Sequence, residues 1–160
     1  MCIRDRSPHS GTPAPNQGYP GGISNTPANY GAGGGGGAGA VGADGASSDG
    51  GDGGAGKQNT ATGQTLSLAG GGGGNIYYAS TTVGDATHGG GQGAPHTGGL
   101  APVTGPTSIN GHTNTGGGGG GGLRHRGAGP NTGIGPNTPA ANTGIAGSGG
   151  SGLVIIAYPT

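Results

Sequence analysis

The sequence predicts a non-helical, low-complexity chain with no conventional hydrophobic core. It favours either a sandwich of extended helices of the polyglycine II type with a few short β-strands, or a largely disordered chain. Glycine makes up 49 of the 160 residues and forms three uninterrupted runs, at Gly33–Gly37, Gly70–Gly74 and Gly116–Gly122. Leu, Ile, Val and Phe together contribute only 17 side chains (five Leu, eight Ile, four Val, no Phe). Chains this poor in large apolar residues rarely bury enough surface to order themselves by side-chain packing.

The composition also excludes several classes of function. The net charge is zero and the charged residues are scattered, so no basic stripe exists to bind nucleic acid. The longest apolar stretch, Leu153–Tyr158, has six residues, far short of the roughly 20 that span a membrane as a helix.

The N-terminal part differs in character from the glycine-rich remainder of the chain. Residues 1–6, Met-Cys-Ile-Arg-Asp-Arg, share little composition with the other residues and are interpreted as an adapter-derived segment foreign to the protein; a genuine short N-terminus is the alternative. The single cysteine, Cys2, lies there and forms no disulfide framework. Residues 7–32 contain five prolines and are predicted to be a Pro/Gly/Asn-rich linker.

Residues 33–160 are predicted to form one glycine-rich domain. Over 33–54, glycine recurs at every third position except Ser48: 33, 36, 39, 42, 45, 51 and 54. A period of three matches an extended left-handed helix with three residues per turn, and predicts a helix with one bare face packed on others of its kind. Collagen shares this period but needs proline, which residues 28–94 lack.

Three short strands are predicted within this domain. Thr65–Ala69 alternates polar and apolar residues, and Asn75–Val83 is rich in aromatic and β-branched residues. The apolar run Leu153–Tyr158 is predicted to be a closing strand stopped by Pro159. Residues 84–115 are predicted to be loop, and no helical periodicity occurs anywhere.

The order of these features resembles the glycine-rich domain of bacteriophage and algal-virus structural proteins, which occurs in tail fibres and tip adhesins. The chain departs from the pattern of this family in two ways. Ala157 stands where family members usually have a basic residue, and the long apolar strand with which they open is lacking. The second departure implies that this chain is a C-terminal fragment whose closing strand lacks its partner. The resemblance covers about residues 33–160 and rests on Gly33–Gly37 with Ala38–Gly42, Thr65–Gly74, Asn114–Gly122, and Gly149–Thr160.

By this resemblance, the chain is expected to be a virion or extracellular structural protein that binds a host cell-surface receptor and the rest of its own fibre, with a homo-oligomer left open. The loops at about 75–115 and 123–146 would make the receptor contacts. Their most contact-capable side chains are Tyr77, Tyr78, His88, His96, His112, Arg124, His125 and Arg126. Each of these is also compatible with an ordinary solvated loop residue.

Three other functions remain open. They are an extracellular or cell-wall glycine-rich structural protein, an ice-binding helix bundle with a flat face of small residues, and a disordered fragment. No enzyme is expected, because no spacing of Ser, His and Asp selects a catalytic set. No cofactor or metal is expected either: Gly56-Lys57-Gln58 departs from a P-loop, and the aspartates near glycine lack the spacing of calcium loops.

Overall fold

The computed structural model describes residues 18–24, 31–46, 49–76, 82–94, 109–122, 146–156 and 158. These stretches contain no helix, and their strands are β1 (Lys57–Asn59) and β2 (Leu66–Leu68). The two strands pair antiparallel, with Lys57 opposite Leu68. The prediction of a non-helical chain with few short strands is confirmed in this part of the chain, and β2 lies within the alternating segment 65–69.

The rest of the described chain consists largely of extended segments joined by backbone hydrogen bonds, most of them donated by glycine. We number these segments in chain order. Segments 1 to 10 are residues 18–24, 31–38, 40–46, 49–56, 69–76, 82–88, 89–94, 109–112, 116–122 and 146–152.

Hydrogen bonds between two neighbouring segments recur at every third residue. Segment 2 donates to segment 5 from the amide nitrogens of Ala32, Gly35 and Ala38, at N–O distances of 3.0, 2.8 and 2.9 Å. Between these donors, Gly34 and Gly37 donate to segment 3 at 2.9 and 3.0 Å. Successive residues of one segment thus bond to different neighbours.

The bonds arrange the segments in two rows of five. Row one runs in the order 1, 2, 5, 9, 10, and row two in the order 3, 4, 6, 7, 8, because each neighbouring pair in these orders is hydrogen-bonded. Further bonds cross between the rows, for example from Gly51 of segment 4 to Ala32 of segment 2 at 2.8 Å. The described chain is therefore a two-row array held together by backbone bonds.

The interior of this array is backbone rather than side chains. A Cβ atom placed on Gly71, Gly72 or Gly73 would lie 1.8–2.0 Å from a carbonyl oxygen of another segment, a distance that no real Cβ atom occupies. The buried hydrophobic residues of the described chain are Ile76 and Ala94. Glycine is needed here because only a bare backbone lets the segments approach closely enough to bond.

Two stretches are organised differently from what their composition predicts. Residues 33–54 are not one continuous helix, since the chain reverses near Ala38 and Gly39 and runs on as segments 3 and 4. The described parts of the predicted loop 84–115 contain no helix or strand, as predicted, but their backbone bonds to other segments as segments 6, 7 and 8 and the start of the turn before segment 9. A loop-like composition allows this bonding because backbone hydrogen bonds do not require large side chains. Residues 18–24 of the predicted linker likewise bond into the array as segment 1.

The other two predicted strands are not formed in the part of the chain that the structure describes. In 75–83, Ile76 makes one isolated antiparallel bridge with Gly31, and residues 77–81 lie outside the described residues. None of residues 153–156 or 158 is in a strand. The last backbone bond before this run joins Gly116 to Ser151 at 2.8 Å, so no described segment pairs with the apolar run beyond it.

Ala69 has a left-handed backbone, with φ of 57°. This conformation costs alanine about 1–2 kcal/mol, whereas glycine adopts it freely but loses about 0.5–1 kcal/mol more through unfolded-chain entropy. We expect Ala69→Gly to raise the free energy of unfolding by about 0.5–1 kcal/mol, measured by thermal or denaturant unfolding. Ala43→Gly, at an exposed position without positive φ, should instead lower it, and a loss in both variants would contradict the assignment of strain to Ala69.

Candidate contact surface

Segments that are consecutive in the chain alternate in direction. Tyr19 bonds to Gly37 at 2.9 Å and Gly22 bonds to Gly34 at 2.8 Å, so segments 1 and 2 are antiparallel. The remaining bonds fix the other directions in the same way: odd-numbered segments run one way and even-numbered segments the other. We call the end at which segment 1 finishes the upper end, and the opposite one the lower end.

This alternation separates two kinds of connection. The four connections at the lower end, described throughout, are the reversal at 38–40, the β1–β2 hairpin, the turn at 87–90 and the turn at 112–116. The five connections that begin and finish at the upper end are residues 25–30, 47–48, 77–81, 95–108 and 123–145, which lie outside the described residues. The described residues that flank all five, such as Ser24, Ile76 and Ile109, therefore belong to one end of the array.

Two of the eight residues predicted to contact a receptor lie in the described part of the chain. His88 and His112 lie in described turns at the lower end. The other six fall outside the described residues, within connections that start from the upper end: Tyr77, Tyr78, His96, Arg124, His125 and Arg126.

His88 has a structural role in its turn. Its φ is 53°, its ring Nδ1 lies 3.0 Å from the hydroxyl oxygen of Thr87, and its carbonyl accepts a bond from Gly70 at 3.1 Å. A Cβ atom on Gly56 would lie 2.7 Å from the Cβ of His88. The side chain of His88 thus packs against segments 4 and 5 at the lower end, a role that sequence spacing does not reveal.

His112 opens the turn before segment 9. Its amide donates to Gly89 at 2.8 Å, and its carbonyl accepts the hydroxyl of Thr115 at 2.7 Å. The turn is tied to segment 10, since Ser151 Oγ accepts the Asn114 amide at 2.8 Å. His112 is exposed, so its ring is available to solvent while its backbone holds the turn.

Three carboxylates of row two, those of Asp44, Asp52 and Asp85, accept hydrogen bonds from nearby donors. Asp52 Oδ1 accepts the Asp85 amide at 2.8 Å, and the Gln92 side-chain amide donates to Asp85 Oδ1. Asp44 Oδ1 accepts the Ile23 amide at 2.7 Å. Asp52 and Asp85 are 33 positions apart, so only the array brings them together, and no sequence motif could have indicated the pair.

Within the described stretches, no group of three or more His, Cys, Asp or Glu side chains is placed to hold a metal ion. The same stretches include no helix with the length and apolar character needed to cross a membrane.

No family model, curated protein or solved structure matches this chain.

Proposed function

We propose that this chain is a virion structural protein, the glycine-rich distal part of a tail fibre, which attaches to a host surface through the connections at the upper end. The observation that supports this proposal is the alternating direction of the ten segments, which gathers the ends of five connections on one side. A scaffold that presents several connections at one end suits surface recognition, since binding residues commonly lie on loops held by a rigid framework.

We further propose that the segments are polyglycine II-type helices, which form the scaffold of this attachment domain. The three-residue recurrence of the hydrogen bonds supports this geometry, because such a helix has three residues per turn. Bonds that point to several neighbours in turn would resist bending in more than one direction. A scaffold of this kind needs no side-chain core, which suits the composition of the chain.

The attachment proposal is tested by exchanging one upper-end connection. We replace residues 95–108 by a Gly/Ser linker of the same length and measure binding of the labelled protein to susceptible cells. We expect binding to fall by at least about tenfold, which corresponds to the loss of about 1.4 kcal/mol of binding free energy.

The matched control is the same kind of exchange at the lower end, over residues 60–65 of the β1–β2 hairpin. This variant should bind as the original chain does, and the far-UV spectra of both variants should match that of the original. Full binding by the 95–108 variant, followed by full binding when 77–81 and 123–145 are exchanged as well, would contradict attachment through the upper end.

A further inference from the structure

The two edges of the array are built from its outermost segments. Segments 1 and 3 form what we call the N-terminal edge, and segments 8 and 10 form the C-terminal edge. Gly21 and Val41 at the first edge, and Gly149 at the second, take part in no backbone hydrogen bond of the described chain. Gly36 of segment 2 and Gly119 of segment 9 also take part in none, so unbonded backbone groups occur at both edges without being confined to them.

Large exposed apolar side chains concentrate at these same edges. In the described stretches, each one belongs to segment 1, 3 or 8, or to the run that continues segment 10. The exposed fraction is 56% for Val41, 84% for Val154 and 69% for Ile156. The full set is Tyr19, Ile23 and Val41 at the N-terminal edge, Ile109 at the C-terminal edge, and Leu153, Val154, Ile156 and Tyr158 in the run that follows segment 10.

This distribution differs from that of an ordinary solvated surface. Single exposed apolar residues scattered over a protein need no explanation, but contiguous ones mark contact sites. An open edge with unpaired backbone groups is also a template for another chain. Here apolar side chains and unbonded backbone groups share segments 1 and 3, and at the other edge the apolar run directly follows segment 10. The described residues of segments 2, 4, 5, 6, 7 and 9 contribute no large exposed apolar residue.

The directions of the outermost segments suit a second copy of the chain. Segment 10 runs toward the lower end and segment 1 toward the upper end. If segment 10 of one copy lay beside segment 1 of another copy, the two segments would be antiparallel, as segments 1 and 2 are within one copy. Segments 8 and 3 would be antiparallel in the same way, as segments 3 and 4 are. Both rows could therefore continue from one copy into the next.

Charge favours contact between opposite edges over contact between two N-terminal edges. The N-terminal edge carries Asp44, whereas segments 8 and 10 and the described residues after them carry no acidic residue. Two N-terminal edges in contact would bring two Asp44 carboxylates together, which is unfavourable. Contact between opposite edges also covers both apolar edges of every copy.

We propose that copies of this chain associate side by side, with the N-terminal edge of one copy against the C-terminal edge of the next. Such a contact is heterologous, so it produces an open row of copies unless the rotation between them closes a ring. This proposal is independent of host attachment, because it involves the edges and not the connections at the upper end.

The test uses the full chain and two charge substitutions, Val41→Lys at the N-terminal edge and Val154→Lys in the apolar run that follows segment 10 of the C-terminal edge. Sedimentation velocity of the original chain should show assemblies that grow beyond two copies as concentration rises. Each variant alone should be monomeric, with association at least about tenfold weaker, because a lysine buried in the contact has no partner.

An equimolar mixture of the two variants gives the sharpest result. Each variant retains one intact edge, so the mixture should form pairs of one copy of each, and nothing larger. The control is Gln64→Lys, an exposed position in the β1–β2 hairpin, which should assemble as the original chain does. Unchanged far-UV spectra of all variants would show that they remain folded.

Three results would overturn the proposal. The first is an original chain that stays monomeric at every concentration. The second is a single variant that dimerises as well as the original chain, which would indicate contact between two identical edges. The third is thermal hysteresis by the monomeric chain that Val41→Lys or Val154→Lys abolishes, which would assign the edges to ice binding.

Discussion

Gly72→Ala is expected to lower the free energy of unfolding by about 3 kcal/mol, at the upper end of the usual cost of overpacking. Gly72 is buried in segment 5, and a Cβ atom there would lie 2.0 Å from the carbonyl oxygen of Gly119. Segment 9 would have to move away from segment 5, weakening its bonds from Gly118 to Gly70 and from Gly121 to Gly73. Thermal unfolding should show a midpoint lowered by roughly 6–12 °C for a chain of this length.

Gly149→Ala is the matched control, since the same atom is added to another glycine of row one. The nearest heavy atom to its added Cβ would be the carbonyl oxygen of Gly117 at 3.6 Å, an ordinary contact. Its stability should change by less than about 0.5 kcal/mol, as at most surface positions. Equal losses in the two variants would mean that close contact between segments is not what requires glycine at position 72.

Ile76→Ala is expected to lower the free energy of unfolding by about 2–4 kcal/mol. Ile76 is the largest fully buried side chain of the described residues, with no exposed surface, and its backbone bridges Gly31. Truncating the side chain to a methyl group loses its burial and leaves a cavity, since the surroundings relax only partly. In an array with so few buried side chains, this loss is a large share of all side-chain burial. Denaturant unfolding would measure this loss as a lower midpoint, with an unchanged slope of the unfolding free energy against denaturant concentration.

Ile156→Ala makes the same chemical change at a residue that is 69% exposed. We expect its effect on stability of the monomeric chain to stay within about 0.5 kcal/mol. If Ile76→Ala were as mild as Ile156→Ala, the array would be stabilised by its backbone bonds alone, and the burial of Ile76 would be incidental.

Sequence reasoning predicted the local features of the fold better than its arrangement. The β2 strand at Leu66–Leu68 could be predicted because alternation is a local pattern. The β1 strand at Lys57–Asn59 was not predicted, because Lys-Gln-Asn has no strand preference and pairs only because β2 lies opposite. Segments 6 to 8 were also missed, since their composition is that of a loop and their bonding partners are distant in sequence.

The candidate site was predictable only in part, for a related reason. Residue type could nominate His88 and Tyr77, but type does not reveal position in the array. His88 proved to be a turn residue packed near Gly56, at the lower end. Tyr77 lies outside the described residues and follows Ile76, the residue that ends segment 5 at the upper end. The distinction depends on the direction of each segment, which is set by hydrogen bonds between segments.

The sequence by itself determined that the described part of this protein lacks helices and that its interior is formed by glycine backbone rather than by side chains. Its 49 glycines and 17 large aliphatic residues leave few side chains to pack, and this holds whatever the chain's path. Only the tertiary structure decided which glycines must be glycine, where the chain reverses, and which segments form the edges. The physical reason is that a glycine run has the same local preferences at every position. The choice among its partners is made by backbone bonds between residues far apart in the chain.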